Sequence, residues 1–119
     1  MSDVVVFAGT TEGYEICSFL AKNKVSVLAC VATDYGSKSL KEDEYLKIHA
    51  GRLNGEEMEN LLKELSPGLV LDATHPYAAE VTENIRTACK IQGFPMREYF
   101  VKRARIRIKL YMWKTRRQQ

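Results

Sequence analysis

The strongest constraint on the fold is a short apolar run that ends in a glycine turn near the amino terminus. Residues 4–7 are uniformly apolar and lead into Ala8-Gly9-Thr10-Thr11-Glu12-Gly13. Uniformly apolar runs of this length are typical of parallel strands that are covered on both faces. A turn from such a strand into a helix presents free backbone N–H groups and the positive end of the helix dipole. The stretch therefore predicts a buried first strand followed by a phosphate-binding turn or a purely structural tight turn.

The rest of the chain alternates helix-like and strand-like segments. Apolar residues recur at helical spacing over residues 11–22, 56–65 and 76–92. Strand-like runs occupy residues 25–32, 45–50, 69–71 and 94–100. This alternation predicts an α/β fold, a Rossmann-like open and mainly parallel sheet with helices on both faces. In a 3-2-1-4 strand order, the loops after the first and fourth strands face each other across the ligand-binding crevice.

Composition restricts the class of protein. The chain has 119 residues, 45% hydrophobic and 28% charged, which is typical of one globular domain. No apolar run approaches the roughly 20 residues that cross a membrane, and no basic leader precedes the first strand, so we expect a cytoplasmic protein. The three cysteines lack the paired spacing of a metal site, so we expect buried, reduced thiols and no metal.

Charge is distributed unevenly along the chain. Through residue 96, nine Lys and Arg stand against 14 Asp and Glu, a net −5; from Arg97 onward, nine stand against one, a net +8. We therefore expect a Rossmann-like domain over residues 1–98 and a basic tail over residues 99–119. The tail could originate from a frameshift, a premature stop or a natural short form. Alternation over residues 105–110 favours an edge strand, whereas basic residues interleaved with Tyr111 and Trp113 would suit a tail that contacts RNA or a protein partner.

The first two strand ends carry candidate cofactor contacts. Gly9 permits close backbone approach, and the hydroxyls of Thr10 and Thr11 could donate to a pyrophosphate. Glu12 is expected to cap the helix or to bond a ribose hydroxyl. The second strand ends at Thr33 without the carboxylate that NAD-preferring sites offer to the ribose. This ending favours NADP, and the residues expected near its 2′-phosphate are Thr33, Ser37 and Lys38.

The later strand ends offer further candidates. Asp72 is expected to orient its loop by accepting backbone N–H bonds. For His75, contact with a ligand or substrate and a helix-capping role both remain open. His49 lies within a predicted strand and is interpreted as structural. Arg52 follows Gly51 at a strand end, where its guanidinium could bind a phosphate or carboxylate or could simply be solvated.

Three motifs in order resemble one enzyme family. They are residues 8–13, the triplet Gly51-Arg52-Leu53, and the run Asp72-Ala73-Thr74-His75-Pro76-Tyr77-Ala78. Together they resemble the precorrin-6A reductase (cobalt-precorrin-6A reductase) family of cobalamin biosynthesis, and the third motif is the specific one. The resemblance covers about residues 4–97, the amino-terminal half of the family. The family has a second α/β domain, and we expect this chain to lack it.

The resemblance implies an NADPH-dependent oxidoreductase that delivers hydride to a ring double bond of a tetrapyrrole. The residues that it implies for cofactor binding are Gly9, Thr10, Thr11, Thr33 and Thr74, and Glu12 joins them as the candidate for a bond to a ribose hydroxyl. It implies substrate contacts for Arg52, His75 and Tyr77, and His75 and Tyr77 are the nearest candidates for catalysis. The alternative from a different class is a non-catalytic nucleotide-binding module whose basic tail contacts RNA or a protein partner.

Overall fold

The computed structural model describes residues 2–33, 38, 40–75, 77–102 and 106–113. Within this part of the chain, six strands and three helices alternate. The strands are β1 (Val4–Ala8), β2 (Val27–Val31), β3 (Leu46–Ala50), β4 (Leu69–Ala73), β5 (Met96–Val101) and β6 (Ile106–Met112). The helices are α1 (Thr11–Lys22), α2 (Gly55–Leu65) and α3 (Ala79–Ile91).

All six strands form one sheet in the order β3-β2-β1-β4-β6-β5. The first four strands are parallel, and β6 runs antiparallel to both of its neighbours. The chain first extends the sheet from β1 to β3 in one direction and then continues from β4 on the other side of β1. This arrangement confirms the α/β, Rossmann-like architecture and the 3-2-1-4 order expected from the sequence.

Both faces of the central strands are covered by helices. Val4 and Val6 belong to the core that α1 closes through Cys17 and Ala21. Val5 and Phe7 point to the opposite face, into the core that α2 and α3 close. Since successive residues of a strand face opposite sides, a strand buried on both sides has no position for a polar residue. This burial explains the uniformly apolar run at the start of the chain.

Two helices have side-chain caps, and the third begins later than expected. Thr10 caps α1 by accepting a hydrogen bond from Gly13 N at 3.1 Å, so the expectation that Glu12 is the cap is wrong. In α2, Asn54 and Glu57 form a reciprocal capping box. Helix α3 starts at Ala79 rather than at Pro76, which lies outside the described residues. The Ala78 N–H bonds the carbonyl of His75 at 2.9 Å, so a local turn replaces the first helical turn.

The strand β6 lies inside the sheet, which corrects the expectation that residues 105–110 form an edge strand. It pairs with β4 on one side and β5 on the other, so β5 is the edge. Tyr111 is 1% exposed and packs beneath α3, while Ile108 and Leu110 pack against the core on the α1 side. The expected boundary between residues 98 and 99 falls within β5.

The polar segment of residues 33–44 contributes one residue to the core. Leu40 is buried and packs into the core on the α1 side. Residues 34–37 and 39 lie outside the described residues. None of the helices in the described part of the chain is long and apolar enough to cross a membrane.

Gly13 allows α1 to pack directly on the sheet. A Cβ at this position would lie 3.1 Å from the Cβ of Ala73 and 3.2 Å from both the Ala73 oxygen and the Ala8 Cα. These distances are shorter than ordinary van der Waals contact, and two of the three partners are backbone atoms that cannot move independently. Glycine is therefore required here for close approach of helix and strand.

We predict that Gly13→Val lowers the free energy of unfolding by about 1–3 kcal/mol, because overpacking pushes α1 away from β1 and β4. Gly55→Ala is the matched control, since a Cβ there would meet only the Asn84 side chain, at 3.8 Å. Urea denaturation followed by circular dichroism measures both variants. Equal stability of Gly13→Val and Gly55→Ala would contradict this account of the packing.

The three cysteines are free and buried, as expected from their apolar sequence context. Burial raises the pKa of the thiols of Cys17, Cys30 and Cys89 from the ordinary value of 9.0 to about 12. The thiolate is the reactive form of cysteine. These side chains are therefore chemically inert in the folded protein near neutral pH.

We predict that a thiol reagent labels no cysteine of the native protein at pH 8 during the time that labels all three in denaturant. The unfolded thiols ionise near pH 9 and the folded ones only near pH 12, so the folded state holds more protons in this window. Stability should therefore fall as pH rises from about 9 to 12. Urea denaturation at pH 8 and pH 10 measures this trend. Rapid labelling of the native protein would show that the thiols are accessible.

Candidate functional site

A cleft of about 710 Å³ opens at the carboxyl ends of β1, β2, β3 and β4. Its floor is apolar and is formed by Phe7, Leu53, Met58 and Val81. It spans the position between β1 and β4 where the strand order reverses, which is where open α/β sheets bind ligands. The residues at its rim are Gly9, Ala32, Gly51, Arg52, Asn54, Glu57, Thr74, His75, Tyr77, Ala78, Glu80 and Asn84.

The loops after β1 and β4 are joined by direct contacts. The backbone N–H of Gly9 and the hydroxyl of Thr10 both donate to the carbonyl of Ala73, each at 3.2 Å. A Cβ on Gly9 would lie 3.3 Å from the Cα of Thr74 and 3.4 Å from the His75 nitrogen. The first loop can therefore approach the second only because residue 9 is glycine.

These contacts restrict what the first loop can offer a ligand. The hydroxyl of Thr10 accepts from Gly13 N and donates its single proton to Ala73, so that proton is not directed at a phosphate. Thr11 and Glu12 begin α1, and neither lines the cleft. Among residues 9–12, Gly9 lines the cleft, and it offers only backbone groups to a ligand.

The second loop is anchored by a buried carboxylate. Asp72 is 2% exposed at the end of β4. Its Oδ1 accepts from the backbone N–H of Thr74 at 3.0 Å and from the Thr74 hydroxyl at 2.6 Å. Its Oδ2 accepts from the hydroxyl of Thr82 at 2.8 Å. The expectation that Asp72 orients its loop by accepting a backbone N–H is confirmed.

Sequence reasoning missed Thr82. This residue lies on α3, and through its bond to Asp72 it ties that helix to the end of β4. Asp72 and Thr74 form a local pattern typical of a side chain that folds back on its own backbone two residues ahead. That pattern was readable from the sequence, but the position of Thr82 depends on where α3 begins.

His75 and Tyr77 form an exposed pair at the cleft rim. The Nδ1 of His75 accepts from the backbone N–H of Tyr77 at 3.1 Å, and the two ring centroids are 5.1 Å apart. Since Nδ1 is an acceptor, the neutral imidazole carries its proton on Nε2. The helix-capping interpretation of His75 is wrong, because the capping position of α3 is Ala78, which makes no side-chain cap. Tyr77 is 89% exposed.

Arg52 projects from a loop whose neighbouring residues are fixed. The N–H of Gly51 donates to the carbonyl of Val31 at 2.8 Å, which joins the end of β3 to the end of β2. Gly51 has a φ of 125°, a conformation that favours glycine. Leu53 packs against the core beneath α2 and α3, and Asn54 is held by the capping box. Arg52 itself is exposed at the cleft rim and has no ion-pair partner among the described residues.

The cleft thus brings together five of the nine residues proposed from the sequence. Gly9, Arg52, Thr74, His75 and Tyr77 line it, whereas Thr10, Thr11, Glu12 and Thr33 do not. Lys38 is exposed outside the cleft lining, and Ser37 lies outside the described residues. His49 is half-buried within β3, paired with Cys30. Within the described ranges, no group of three His, Cys, Asp or Glu side chains could hold a metal ion.

Comparison with known proteins yields one consistent family. The precorrin-6x reductase CbiJ/CobK family matches residues 3–114. The cobalt-precorrin-6A reductase of Salmonella typhimurium is 36% identical over 97 residues, and that of Methanothermobacter thermautotrophicus is 34% identical over 91 residues. A solved structure, CobK precorrin-6A reductase, superposes with a TM-score of 0.64 at 26% identity and covers 77% of this chain.

These matches also show how far the similarity extends. The two curated relatives are matched over 82% and 76% of this chain but over only 36% and 30% of their own lengths, so the chain spans about a third of each. The family match continues to residue 114, beyond the limit near residue 97 to which the resemblance of the motifs extends. The match over nearly the whole sequence shows that this chain belongs to the precorrin-6x reductase CbiJ/CobK family.

Proposed function

We propose that this chain is the cofactor-binding part of an NADPH-dependent reductase that acts on a precorrin-6A-type tetrapyrrole in cobalamin biosynthesis. The observation that carries the proposal is the cleft at the reversal of strand order, where the Gly9 turn contacts the loop from Thr74 to Ala78. Both loops carry motifs by which the sequence resembles the family, and both lie within the residues that the family matches. The reaction is proposed from the relatives, which are named cobalt-precorrin-6A reductases, and the cleft is the proposed binding site for its reactants.

The shape of the cleft fits a dinucleotide. It extends from the end of β3 to the end of β4, which are three strand spacings or about 14 Å apart. Gly9 at its centre allows a pyrophosphate to approach the backbone close to the amino terminus of α1. The end of β2 carries Val31, Ala32 and Thr33, and none of them would repel a 2′-phosphate. When bound, NADPH supplies the hydride for the reduction.

The His75 and Tyr77 pair is proposed to serve the substrate side of the cleft. Reduction of a ring double bond requires one hydride and one proton. The neutral His75 ring carries a proton on Nε2, and the exposed Tyr77 phenol carries another, so either could be the donor. Thr74 positions this pair, since its backbone and hydroxyl are both held by Asp72.

A basic nucleic-acid-binding tail is not favoured. Residues 106–112 form β6 inside the sheet, and the family match includes them. The Nζ of Lys109 lies 3.9 Å from a carboxylate oxygen of Glu98 on β5. At least one basic side chain of the segment after Arg97 is therefore paired with a carboxylate within the sheet.

A titration of the purified protein with NADPH and with NADH tests the proposal. We expect saturable binding of NADPH, tighter than that of NADH, in a calorimeter. A polycarboxylated porphyrin then serves as a substitute for the tetrapyrrole, and its binding should tighten or weaken when the cofactor site is filled. Failure to bind either dinucleotide would refute the reductase proposal for this chain.

Asp72→Ala is predicted to lower both the affinity for NADPH and the free energy of unfolding. The change leaves one backbone N–H and two hydroxyls without their acceptor, which costs about 1–3 kcal/mol of unfolding free energy. Asp72→Asn is the matched control, because it keeps one oxygen acceptor and the Thr82 hydroxyl can rotate to accept instead. Calorimetry at a temperature where circular dichroism shows both variants folded measures the affinity. Wild-type affinity in folded Asp72→Ala would show that the loop does not need its anchor.

A further inference from the structure

The cleft has two ends, and the order of the strands in the sheet distinguishes them. In a dinucleotide-binding sheet, the adenosine ribose lies at the end of the second strand and the pyrophosphate at the turn after the first. The β2 and β3 ends therefore form the adenosine half of the cleft, and the β4 end with His75 and Tyr77 forms the other half. Arg52 follows β3, so it lies in the adenosine half and about 14 Å of sheet width from the β4 loop.

Arg52 is tied specifically to the end of β2. The residue before it, Gly51, donates its N–H at 2.8 Å to the carbonyl of Val31, the last residue of β2. The residues after it are held by core packing of Leu53 and by the capping box at Asn54. The backbone is therefore fixed on both sides of Arg52, and its exposed side chain extends from this fixed loop.

The charges around Arg52 leave it available for an anion. Of the two acidic residues that line the cleft, Glu57 directs a carboxylate oxygen to the Asn54 N–H at 2.8 Å, and Glu80 lies on α3 at the opposite half. Among the described residues at the β2 and β3 ends of the cleft, Arg52 is the positively charged one. A guanidinium presents a planar fork of donors that matches a phosphate.

We propose that Arg52 binds the 2′-phosphate of NADPH and so determines the preference of this cleft for NADPH over NADH. This inference rests on the proposed function, and it assigns Arg52 to the cofactor rather than to the carboxylates of the tetrapyrrole. The 2′-phosphate is the only group that distinguishes the two dinucleotides, and it carries nearly two negative charges near neutral pH.

The test compares NADPH with NADH on three proteins by calorimetry. Arg52→Gln should weaken NADPH binding about 10- to 100-fold, the effect of losing a hydrogen-bonded charge pair, and should change NADH affinity less than about twofold. Arg52→Lys should lie between, because it keeps the charge and loses the fork. Lys47→Gln removes the same charge from an exposed position of β3 outside the cleft lining, and it should leave both affinities unchanged.

The outcomes separate this inference from the proposed function. If wild type binds neither dinucleotide, the reductase proposal fails and the assignment of Arg52 fails with it. A second outcome is that wild type binds NADPH, and that Arg52→Gln either lowers the affinities for NADPH and NADH equally or changes neither affinity. In that case the reductase proposal stands and the assignment of Arg52 is wrong. Loss of binding to a polycarboxylated porphyrin with unchanged NADPH affinity would place Arg52 on the substrate side and overturn the inference.

Discussion

The structure depends on the carbonyl of Ala73, the last residue of β4. This oxygen accepts from the Gly9 N–H and from the Thr10 hydroxyl, each at 3.2 Å. It also lies 3.2 Å from where a Cβ of Gly13 would be. One acceptor therefore holds the turn after β1, the cap of α1 and the first turn of that helix against the end of β4. The two central strands consequently end in one rigid unit rather than in two independent loops.

The neighbouring residue, Asp72, extends this unit to the opposite face of the sheet. Its side chain reaches Thr82 on α3, while the backbone of Ala73 serves α1. A buried carboxylate is favourable only when its oxygens are hydrogen-bonded, and here the described network supplies three donors. Helices on both faces are thus aligned to the same strand end. The loop that carries His75 and Tyr77 leaves from a fixed point, which is what a site that positions two reactants requires.

Much of this fold could be predicted from the sequence, because periodicity and burial are local properties. The 3.6-residue period located all three helices, short apolar or alternating runs located the first five strands, and the strand order placed the Gly9 turn opposite the Asp72 loop. The hydrogen-bond partners could not be read in the same way. Thr10 was expected to serve a phosphate, but its proton goes to a carbonyl 63 residues away, and no local pattern specifies that distance. The start of α3 was misplaced because the His75 turn competes with the helix over the same residues.

The charged strand β6 shows why a charge pattern alone is a poor guide to position in a sheet. Alternation of Lys109 with apolar neighbours suggested an edge, since charge there discourages pairing. In the structure, β6 is flanked by β4 and β5, and the alternation reflects its two faces instead. On one face Tyr111 is buried under α3 while Lys109, further along, pairs with Glu98 near solvent. On the other face Ile108 and Leu110 are only partly buried. Charged residues are therefore tolerated in β6, which is incompletely covered, but not in β1, which is buried on both faces. The cleft opens at the carboxyl end of this buried strand.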